Sequence, residues 1–377
     1  SPTGISALNV QGQTIHSFFQ FPPKLMHQGE IFINKRLVRL LSALDAIIID
    51  EVSMVRADVL DAIDFSLKLH RKSVAPFGGV QMLFFGDLFQ LPPVVSSQEE
   101  REYFRTAYPS PYFFDAHIFK SHVHLVMIEL TRVYRQRERN FIQLLDAIRT
   151  MQFDYEELDS LNERYLPDEP IEEPYLTLCS TNAAAQQINK DRLALLTTPS
   201  FYYSGEVKGD FNPKLFPTDY KLELRLDGQV MLIRNDPEKR FVNGSLARIV
   251  GLEEEKIIVS MTSDGGKSEV FELPKMTWEV NKYTLSTDTD NPIKAEVIGS
   301  FIQYPVRLAW AVTIHKSQGK TYERVAIDLG RGAFEHGQTY VALSRCTSLN
   351  GVFLKKPLTP RDIMVDERVA EFYETMR

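Results

Sequence analysis

Two carboxylates, Asp50 and Glu51, directly follow a short apolar run at residues 46–49. Such a run is typical of a strand buried in a parallel sheet, and the carboxyl ends of these strands are where open α/β sheets bind ligands. An aspartate there could help to hold Mg²⁺, and a glutamate could deprotonate a water molecule that attacks a phosphate. The alternative is a solvated acidic turn, because Asp-Glu pairs are common in proteins.

A polar amide, Gln90, follows a second apolar run at residues 80–85. It lies in residues 86–93, Gly-Asp-Leu-Phe-Gln-Leu-Pro-Pro, where two prolines stiffen the loop. A glutamine in this place could sense a terminal phosphate. A rigid surface turn is the alternative, but a nearby strand that ends in Asp50 and Glu51 favours a ligand site.

Two arginines occur in distinctive surroundings, Arg135 within Thr-Arg-Val-Tyr-Arg-Gln and Arg345 at the end of Ala-Leu-Ser-Arg. A guanidinium beside a γ-phosphate stabilises the charge that develops during phosphoryl transfer. An arginine on a helix is otherwise an ordinary solvated group.

Two further segments are suited to nucleic acid. Residues 313–321, Thr-Ile-His-Lys-Ser-Gln-Gly-Lys-Thr, are rich in small donors and cations that could contact a phosphate backbone. Residues 13–21 mix donors with aromatic side chains, as single-strand stacking sites do. At least one of Phe18, Phe19 and Phe21 is expected to lie in the core instead.

The elements that must position these residues follow an α/β pattern. Apolar residues recur at helical spacing over residues 55–67, between the two apolar runs, so strand, helix and strand predict a doubly wound sheet. Prolines near residue 167 predict a boundary. A second lobe starts with a strand at residues 175–179, and Asn182 is expected to cap the helix after it. Short β-branched runs between turns over residues 230–301 predict an all-β insertion.

Residues 264–268, Asp-Gly-Gly-Lys-Ser, resemble the end of a phosphate-binding P-loop, G-x-x-x-x-G-K-[ST]. The leading glycine of that motif would fall on Met261, and a strand is predicted to follow where a P-loop requires a helix. We therefore predict a hairpin turn.

Composition excludes several classes of protein. The net charge of −7 and pI of about 5.7 argue against a protein that coats nucleic acid with a basic surface, although they allow a local binding groove. No run is long and apolar enough for a membrane span, and no signal peptide is recognisable. Two cysteines, Cys179 and Cys346, are too few for a disulfide framework. We expect a soluble protein, cytoplasmic in a bacterium or nuclear or mitochondrial in a eukaryote.

Taken in order, the motifs resemble those of the Pif (petite integration frequency) family of superfamily 1B DNA helicases and, less closely, the RecD branch. The matching segments are residues 2–8, 13–18, 49–54, 86–93, 130–136, 313–319 and 340–345, and residues 51–72 resemble the family's signature segment.

The resemblance implies an ATP-dependent, Mg²⁺-dependent 5′-to-3′ translocase on single-stranded DNA. It would act on single-strand/duplex junctions and G-quadruplexes, as a monomer, in repair, recombination and telomere or genome maintenance. It also implies two RecA-like lobes with ATP in the cleft between them. The first would span 1–166 with a small wedge near 24–36, the second 167–229 and 302–377, and a small β-barrel 230–301.

The resemblance also implies site residues. Asp50 would be the Mg²⁺ ligand, Glu51 the general base, Gln90 the γ-phosphate sensor, and Arg135 and Arg345 the arginine fingers. The remaining positions are Gln318 and Gly319 for the nucleotide, and Thr3, Gly4, His16, Phe18, Pro92, His315, Lys316 and Ser317 for DNA.

One part of the family pattern is not found in these 377 residues, namely the glycine-rich P-loop that lies before the Pro2-Thr3-Gly4 motif. Its N–H groups and lysine are the main anchors of the β- and γ-phosphates. We therefore expect a polypeptide of these residues alone to hydrolyse ATP weakly or not at all, and its first lobe to expose apolar surface.

Two other classes of function remain open. An ATP-independent single-strand binding relative would be expected to lose the residues that serve ATP alone, yet Asp50, Glu51, Gln90, Arg135 and Arg345 are all present. A metal-dependent phosphoesterase would need further ligands at suitable spacing near Asp50, and the sequence offers none.

Overall fold

The computed structural model describes the chain apart from residues 23, 28, 30, 96, 121, 122, 124, 168–170, 172, 237, 263–267, 286–292 and 377. Packing divides the chain into two compact units. The first unit comprises Ser1–Leu130, Asn281–Val297 and Val365–Arg377, and the second comprises Thr131–Val280 and Ile298–Met364. The predicted lobe boundary at residue 166, the wedge and the barrel stay predictions about the family fold.

Eleven α-helices are found in the described part of the chain. They are α1 (Gly4–Asn9), α2 (Ile15–Phe19), α3 (Lys35–Ser42), α4 (Ala57–Arg71), α5 (Gln98–Ala107), α6 (Arg139–Thr150), α7 (Tyr155–Asn162), α8 (Asn182–Leu195), α9 (Ile314–Ser317), α10 (Gln338–Leu343) and α11 (Glu367–Met376). None of these helices has both the length and the apolar character required to cross a membrane.

Sixteen strands are found in the same residues. They are β1 (Ala46–Ile49), β2 (Gln81–Phe84), β3 (Leu176–Cys179), β4 (Phe201–Ser204), β5 (Glu206–Gly209), β6 (Lys221–Leu224), β7 (Gln229–Leu232), β8 (Leu246–Glu253), β9 (Lys256–Thr262), β10 (Ser268–Leu273), β11 (Met276–Leu285), β12 (Ile293–Gln303), β13 (Val306–Leu308), β14 (Ala311–Thr313), β15 (Val325–Asp328) and β16 (Val352–Leu354).

Strands β1 and β2 form a parallel pair, as the two apolar runs predict. The prediction that both are buried is wrong, because Ile48, Leu83 and Phe85 are exposed by 63%, 36% and 51% of their surface. Side chains alternate between the two faces of a strand, and Ile49 on the other face is 2% exposed. The pair is therefore covered on one face only.

Helix α4 is fixed in the first unit by three buried carboxylates, Asp58, Asp61 and Asp64, which recur every three residues along one face. Asp64 accepts a hydrogen bond from the backbone of Phe77 at 2.7 Å. Asp58 accepts one from the backbone of Met26 at 2.9 Å. Each carboxylate thus holds a different connecting segment against the helix.

Replacing Asp61 by asparagine is expected to destabilise the first unit by about 3 kcal/mol. Its Oδ2 accepts hydrogen bonds from the Tyr108 hydroxyl and the His117 backbone, both at 3.0 Å, and its Oδ1 accepts one from the Ile118 backbone at 3.0 Å. An amide nitrogen in place of one oxygen leaves buried donors without an acceptor. Urea unfolding followed by circular dichroism measures the loss.

The matched control is Glu102→Gln, an exposed carboxylate on α5, which should change stability by less than about 0.5 kcal/mol. The chain's two tryptophans, Trp278 and Trp310, both belong to the second unit. The urea midpoint followed by tryptophan fluorescence should therefore shift less than the midpoint followed by circular dichroism. Equal urea midpoints for Asp61→Asn and the control would contradict the structural role of Asp61.

The second unit contains a four-stranded parallel sheet in the order β14-β3-β15-β16. Its β3 passes into α8, whose N-cap is Thr181, with a side chain that accepts a hydrogen bond from the backbone of Ala184. The prediction that Asn182 is the cap is wrong by one residue. Asn182 is the first helical residue, because the threonine hydroxyl before it already accepts from the first turn.

The predicted β-rich region is confirmed as sheets in the orders β10-β9-β8-β7-β13, β11-β12-β5 and β4-β6. The first and last of these sheets are antiparallel throughout, and β12 pairs antiparallel with β5. Antiparallel pairing already begins at Phe201, before the predicted start at residue 230. Strands β9 and β10 pair with Thr262 opposite Ser268, so a strand follows the P-loop-like residues, as expected for a hairpin. The turn residues 263–267 lie outside the described residues.

Candidate functional site

The first group of predicted site residues lies at the carboxyl ends of β1 and β2. Ile49 pairs with Phe84, so the two strands end level with each other. Beyond this pair, the Phe85 N–H donates to the Ile49 carbonyl at 2.8 Å and the Val52 N–H donates to the Phe85 carbonyl at 2.9 Å. The segments that carry Asp50, Glu51 and Gly86 are therefore tied together at one edge of the sheet.

Glu51 has a left-handed backbone, with φ 54° and ψ 48°. A residue other than glycine in this region is uncommon, and such backbone strain concentrates at functional sites. Glu51 is half-buried and directly precedes a 3₁₀ turn over Val52–Met54. Glycine is favoured at position 86 beside it, because an added Cβ would lie 3.0 Å from the Val52 nitrogen.

Asp87 shapes the turn that carries Gln90. Its carboxylate accepts a hydrogen bond from the Phe89 N–H at 3.1 Å, and its backbone carbonyl accepts one from the Gln90 N–H at 3.1 Å. The Gln90 side-chain amide donates to Asp87 at 3.5 Å. Phe89 stacks on Tyr373 with ring centroids 4.8 Å apart. Gln90 is thus half-buried on a fixed turn, two residues before the half-buried Pro92.

Near the start of the chain, Thr3 caps α1. Its Oγ1 accepts from the Ser6 N–H at 3.3 Å and lies 2.7 Å from the Ser6 hydroxyl. Gly4 is the first residue of this helix and is half-buried. Both residues remain partly accessible.

The aromatic segment at α2 divides as expected between core and surface. Phe19 and Phe21 are buried, with 4% and 7% of their surface exposed, and stack with ring centroids 5.2 Å apart. Phe18 is half-buried and meets Phe19 edge to face. His16 is half-buried, and burial, followed by the charge of Arg56, lowers its pKa. A lowered pKa favours a neutral imidazole at neutral pH.

In the second unit the two predicted arginine fingers converge on Ser344 and the turn at Lys320 and Thr321. Arg135 donates from Nε to the Thr321 hydroxyl at 2.8 Å and from Nη1 to the Ser344 carbonyl at 3.2 Å. Arg345 donates from Nη2 to the Ser344 hydroxyl at 2.9 Å and from Nη1 to the Lys320 carbonyl at 3.4 Å. Arg345 is only 1% exposed, whereas Arg135 is half-buried.

The segment after β14 forms the short helix α9, which Thr313 caps. The predicted DNA contacts on this helix differ in how exposed they are. His315 pairs with Glu335 at 3.1 Å and Lys316 is exposed, but Ser317 is fully buried. The Ser317 hydroxyl donates to the Ile314 carbonyl at 2.7 Å. In this conformation the Ser317 hydroxyl is therefore not available to contact DNA.

Gln318 and Gly319 lie in the turn after α9. The Nε2 atom of Gln318 is buried and has no hydrogen-bond partner among the described residues, as expected where a ligand group would complete a site. Gly319 has φ 71°, a conformation that favours glycine. Burial and the nearby charge of Arg307 lower the pKa of Lys320 to about 8.

Sequence reasoning missed an ion-pair network beside His16. Arg56 binds both carboxylate oxygens of Asp58, at 2.9 and 2.7 Å, and also pairs with Glu100 at 3.0 Å. It also missed a cluster of cations around Arg331. The glycines on both sides of Arg331, directly after a predicted strand, were the available signal for this cluster.

Comparison with known proteins gives consistent matches. Residues 1–157 match the family described as PIF1-like helicase. The chain is 30% identical to the ATP-dependent DNA helicase Pif1 of Campylobacter jejuni, over 99% of this chain and 86% of that protein. It is 32% identical to human ATP-dependent DNA helicase PIF1, over 100% of this chain but only 56% of the human protein.

The fold matches solved structures of Pif1 from Bacteroides sp. The unliganded protein is 38% identical, with a TM-score of 0.89 over 99% of this chain and 86% of the other. The complex with ADP-AlF4 is 37% identical, with a TM-score of 0.89 over 99% of this chain and 85% of the other. The form bound to single-stranded DNA is 38% identical, with a TM-score of 0.70 over 99% and 86%.

Proposed function

The chain belongs to the PIF1-like helicase family, and on this premise we propose that it is the motor of an ATP-dependent DNA helicase. The motor would have two RecA-like lobes and move 5′ to 3′ on single-stranded DNA. Relatives bound to single-stranded and forked DNA support these substrates. Repair, recombination and telomere or genome maintenance are the processes that we propose for it, with G-quadruplexes among its substrates.

The observation that carries this proposal is the shared edge of β1 and β2, where Asp50, Glu51 and Gln90 lie on segments that are bonded to each other. A general base and a γ-phosphate sensor must lie near one reacting group. We propose Glu51 as the base and Gln90 as the sensor.

ATP with Mg²⁺ fits the residues at this edge. Mg²⁺ is usually bound in proteins through one or two carboxylates together with phosphates and water, and the half-buried Asp50 supplies one carboxylate. When bound, the ion would neutralise phosphate charge. A relative in complex with ADP-AlF4 supports the use of ATP. The expectation of weak hydrolysis by the 377 residues alone stays a prediction.

In the second unit we propose Arg135 as an arginine finger, with Gln318 and Gly319 at the nucleotide. The unpartnered Nε2 of Gln318 supports this role. Arg345 is only 1% exposed, unlike the half-buried Arg135, so we propose that it positions Ser344 and Lys320 in the conformation described here.

For DNA we propose contacts in both units. They are Thr3, Gly4, His16, Phe18 and Pro92 in the first unit and His315 and Lys316 in the second, all of them at least partly exposed. Their hydroxyl, imidazole, ammonium and ring groups suit phosphate contact and base stacking without reading sequence.

An ATP-independent DNA-binding relative is the alternative class. The paired edge of β1 and β2 favours the ATP-dependent motor, because binding DNA alone does not require a general base or a γ-phosphate sensor. A phosphoesterase has no support. Within the described ranges, no three histidine, cysteine, aspartate or glutamate side chains are grouped closely enough to hold a metal ion.

The test is ATP hydrolysis and duplex unwinding by the full-length protein. Single-stranded DNA should stimulate hydrolysis, and a duplex with a 5′ single-stranded tail should be unwound in preference to one with a 3′ tail. Binding of DNA without any ATP hydrolysis would support the alternative instead. Preference for the 3′ tail would overturn the proposed polarity alone.

A further inference from the structure

A cavity of about 750 Å³ lies within the second unit, at the carboxyl ends of β15 and β16. Its walls are the segment after β15, residues 329–333, and the segment after β16, residues 356–362. Its volume falls in the range of small-molecule sites, roughly 300–1,000 Å³. None of the site residues proposed above lines it.

Asp362 fixes the shape of this cavity by joining its two walls. Its Oδ1 accepts a hydrogen bond from the Ala333 N–H at 3.1 Å, and its Oδ2 accepts from the Thr359 N–H at 2.8 Å. An added Cβ on Gly332, whose φ is 124°, would lie 2.9 Å from the Asp362 carboxylate. The walls are therefore closely fitted rather than two loose loops.

Three cations surround the cavity, Arg331, Lys356 and Arg361. Lys356 donates to the Gly330 carbonyl at 2.7 Å. Arg331 and Arg361 are exposed, and neither side chain has a hydrogen bond or ion pair with any residue that the structure describes. The neighbouring carboxylate of Asp362 is already occupied by backbone N–H groups. Two guanidinium groups thus remain available for an anion.

The floor of the cavity is apolar. Ile327 and Leu358 are 2% and 4% exposed, and Leu329 and Pro357 complete the lining. An apolar surface beside two guanidinium groups matches a nucleotide, because a base packs on an apolar or aromatic face while a phosphate binds a guanidinium in a bidentate manner.

The position of the cavity indicates which nucleotides could reach it. In the parallel sheet, Thr313 of β14 pairs with Cys179 of β3, which pairs with Asp328 of β15, so these strands end level. His315 and Lys316 follow β14 on this same edge. Neighbouring strands are about 4.8 Å apart, so the cavity lies roughly 12 Å along the edge from the end of β14.

We propose that this cavity is a further binding site for single-stranded DNA, in which Arg331 and Arg361 hold a backbone phosphate and the apolar floor receives the attached base. The inference rests on the proposed function, since the strand that enters the cavity is the one that contacts His315 and Lys316. An acidic peptide with an apolar side chain is the competing ligand, and the presence of His315 and Lys316 on the same edge favours DNA.

The test is a double variant, Arg331→Gln with Arg361→Gln, in the full-length protein. We expect about tenfold weaker binding of oligonucleotides of roughly 16 nucleotides, and a smaller loss for those of roughly 6 nucleotides, which can bind elsewhere on the protein without entering the cavity. The slope of log K against log salt concentration should become less steep by about 0.7, as expected for one lost phosphate contact on a single strand. Fluorescence anisotropy at several salt concentrations measures both effects.

The control is Arg139→Gln, an exposed arginine at the start of α6 that removes one positive charge elsewhere on the same unit. Hydrogen exchange of the unmodified protein gives an independent readout, and residues 329–333 and 356–362 should gain protection when the long oligonucleotide is bound. If wild type binds DNA but the double variant matches the control at every length, the inference is overturned and a peptide becomes the ligand to test. If wild type binds no DNA, the proposed function itself fails.

Discussion

Replacing Glu51 by glutamine is expected to reduce ATP hydrolysis by about 10³-fold, within the usual contribution of a general base. This loss corresponds to about 4 kcal/mol of transition-state stabilisation. An amide cannot accept the proton of the attacking water, but it keeps the size and hydrogen-bonding reach of the carboxylate. Since glutamine has the same backbone preferences, it adds no new strain at φ 54°. The measurement is steady-state ATP hydrolysis by the full-length protein with saturating single-stranded DNA.

Two further measurements separate catalysis from binding in this variant. The affinities for ATP and for single-stranded DNA should stay within about threefold of wild type. A general base acts in the chemical step and does not contribute to the binding of ATP or DNA in the ground state. Glu99→Gln, an exposed carboxylate on α5, is the control for the loss of one charge. Hydrolysis near the wild-type rate would rule out Glu51 as the base. Loss of ATP binding would instead assign Glu51 to nucleotide binding.

The edge that carries Glu51 could be predicted because the sequence contains two short apolar runs that both end in polar residues. Parallel strands place their carboxyl ends together, so Asp50 and Gln90 were expected near each other, and the register of Ile49 with Phe84 agrees. Burial on both faces could not be predicted in the same way. An apolar run indicates that the side chains of a strand are stabilised by burial. The exposure of Ile48 and Phe85 depends on which elements pack against each face of the strand pair.

Residues within short turns were harder to assign. Ser317 belongs to a segment rich in donors, but α9 turns its hydroxyl inward to Ile314. One residue decides whether such a side chain faces solvent, because a helix rotates by about 100° per residue. The cap of α8 shows the same limit, since Thr181 and Asn182 are both good caps and only the backbone geometry selects Thr181.

The cavity beside Arg331 depends on residues that are far apart in sequence. The segments that carry Arg331 and Arg361 line one cavity, because β15 and β16 are neighbours and Asp362 joins the residues that follow them. Sequence spacing alone could not show that these two arginines are exposed and have no partner among the described residues.

Replacing Arg135 by alanine is expected to reduce ATP hydrolysis by about 10³-fold, at the lower end of the range for arginine fingers. Arg135 is half-buried, and the bonds that it gives up include those to Thr321 and Ser344, worth about 1 kcal/mol each. The Ser344 carbonyl keeps its bond from Gln136 at 3.0 Å, so the fold should survive. Hydrolysis with saturating DNA, compared with the affinity for ADP, measures the effect, and ADP affinity should change little.

Arg135 is a sharper test of the finger role than Arg345. Arg345 is 1% exposed and holds Val341, Ser344 and Lys320 through its guanidinium, so its removal would damage the fold before it could report on chemistry. Arg137→Ala, an exposed neighbour, is the matched control and should retain wild-type hydrolysis. Arg135→Lys should recover only part of the activity, because lysine keeps the charge but not the planar fork. Full activity in Arg135→Ala, or an equal loss in Arg137→Ala, would show that Arg135 does not stabilise the transferred phosphate.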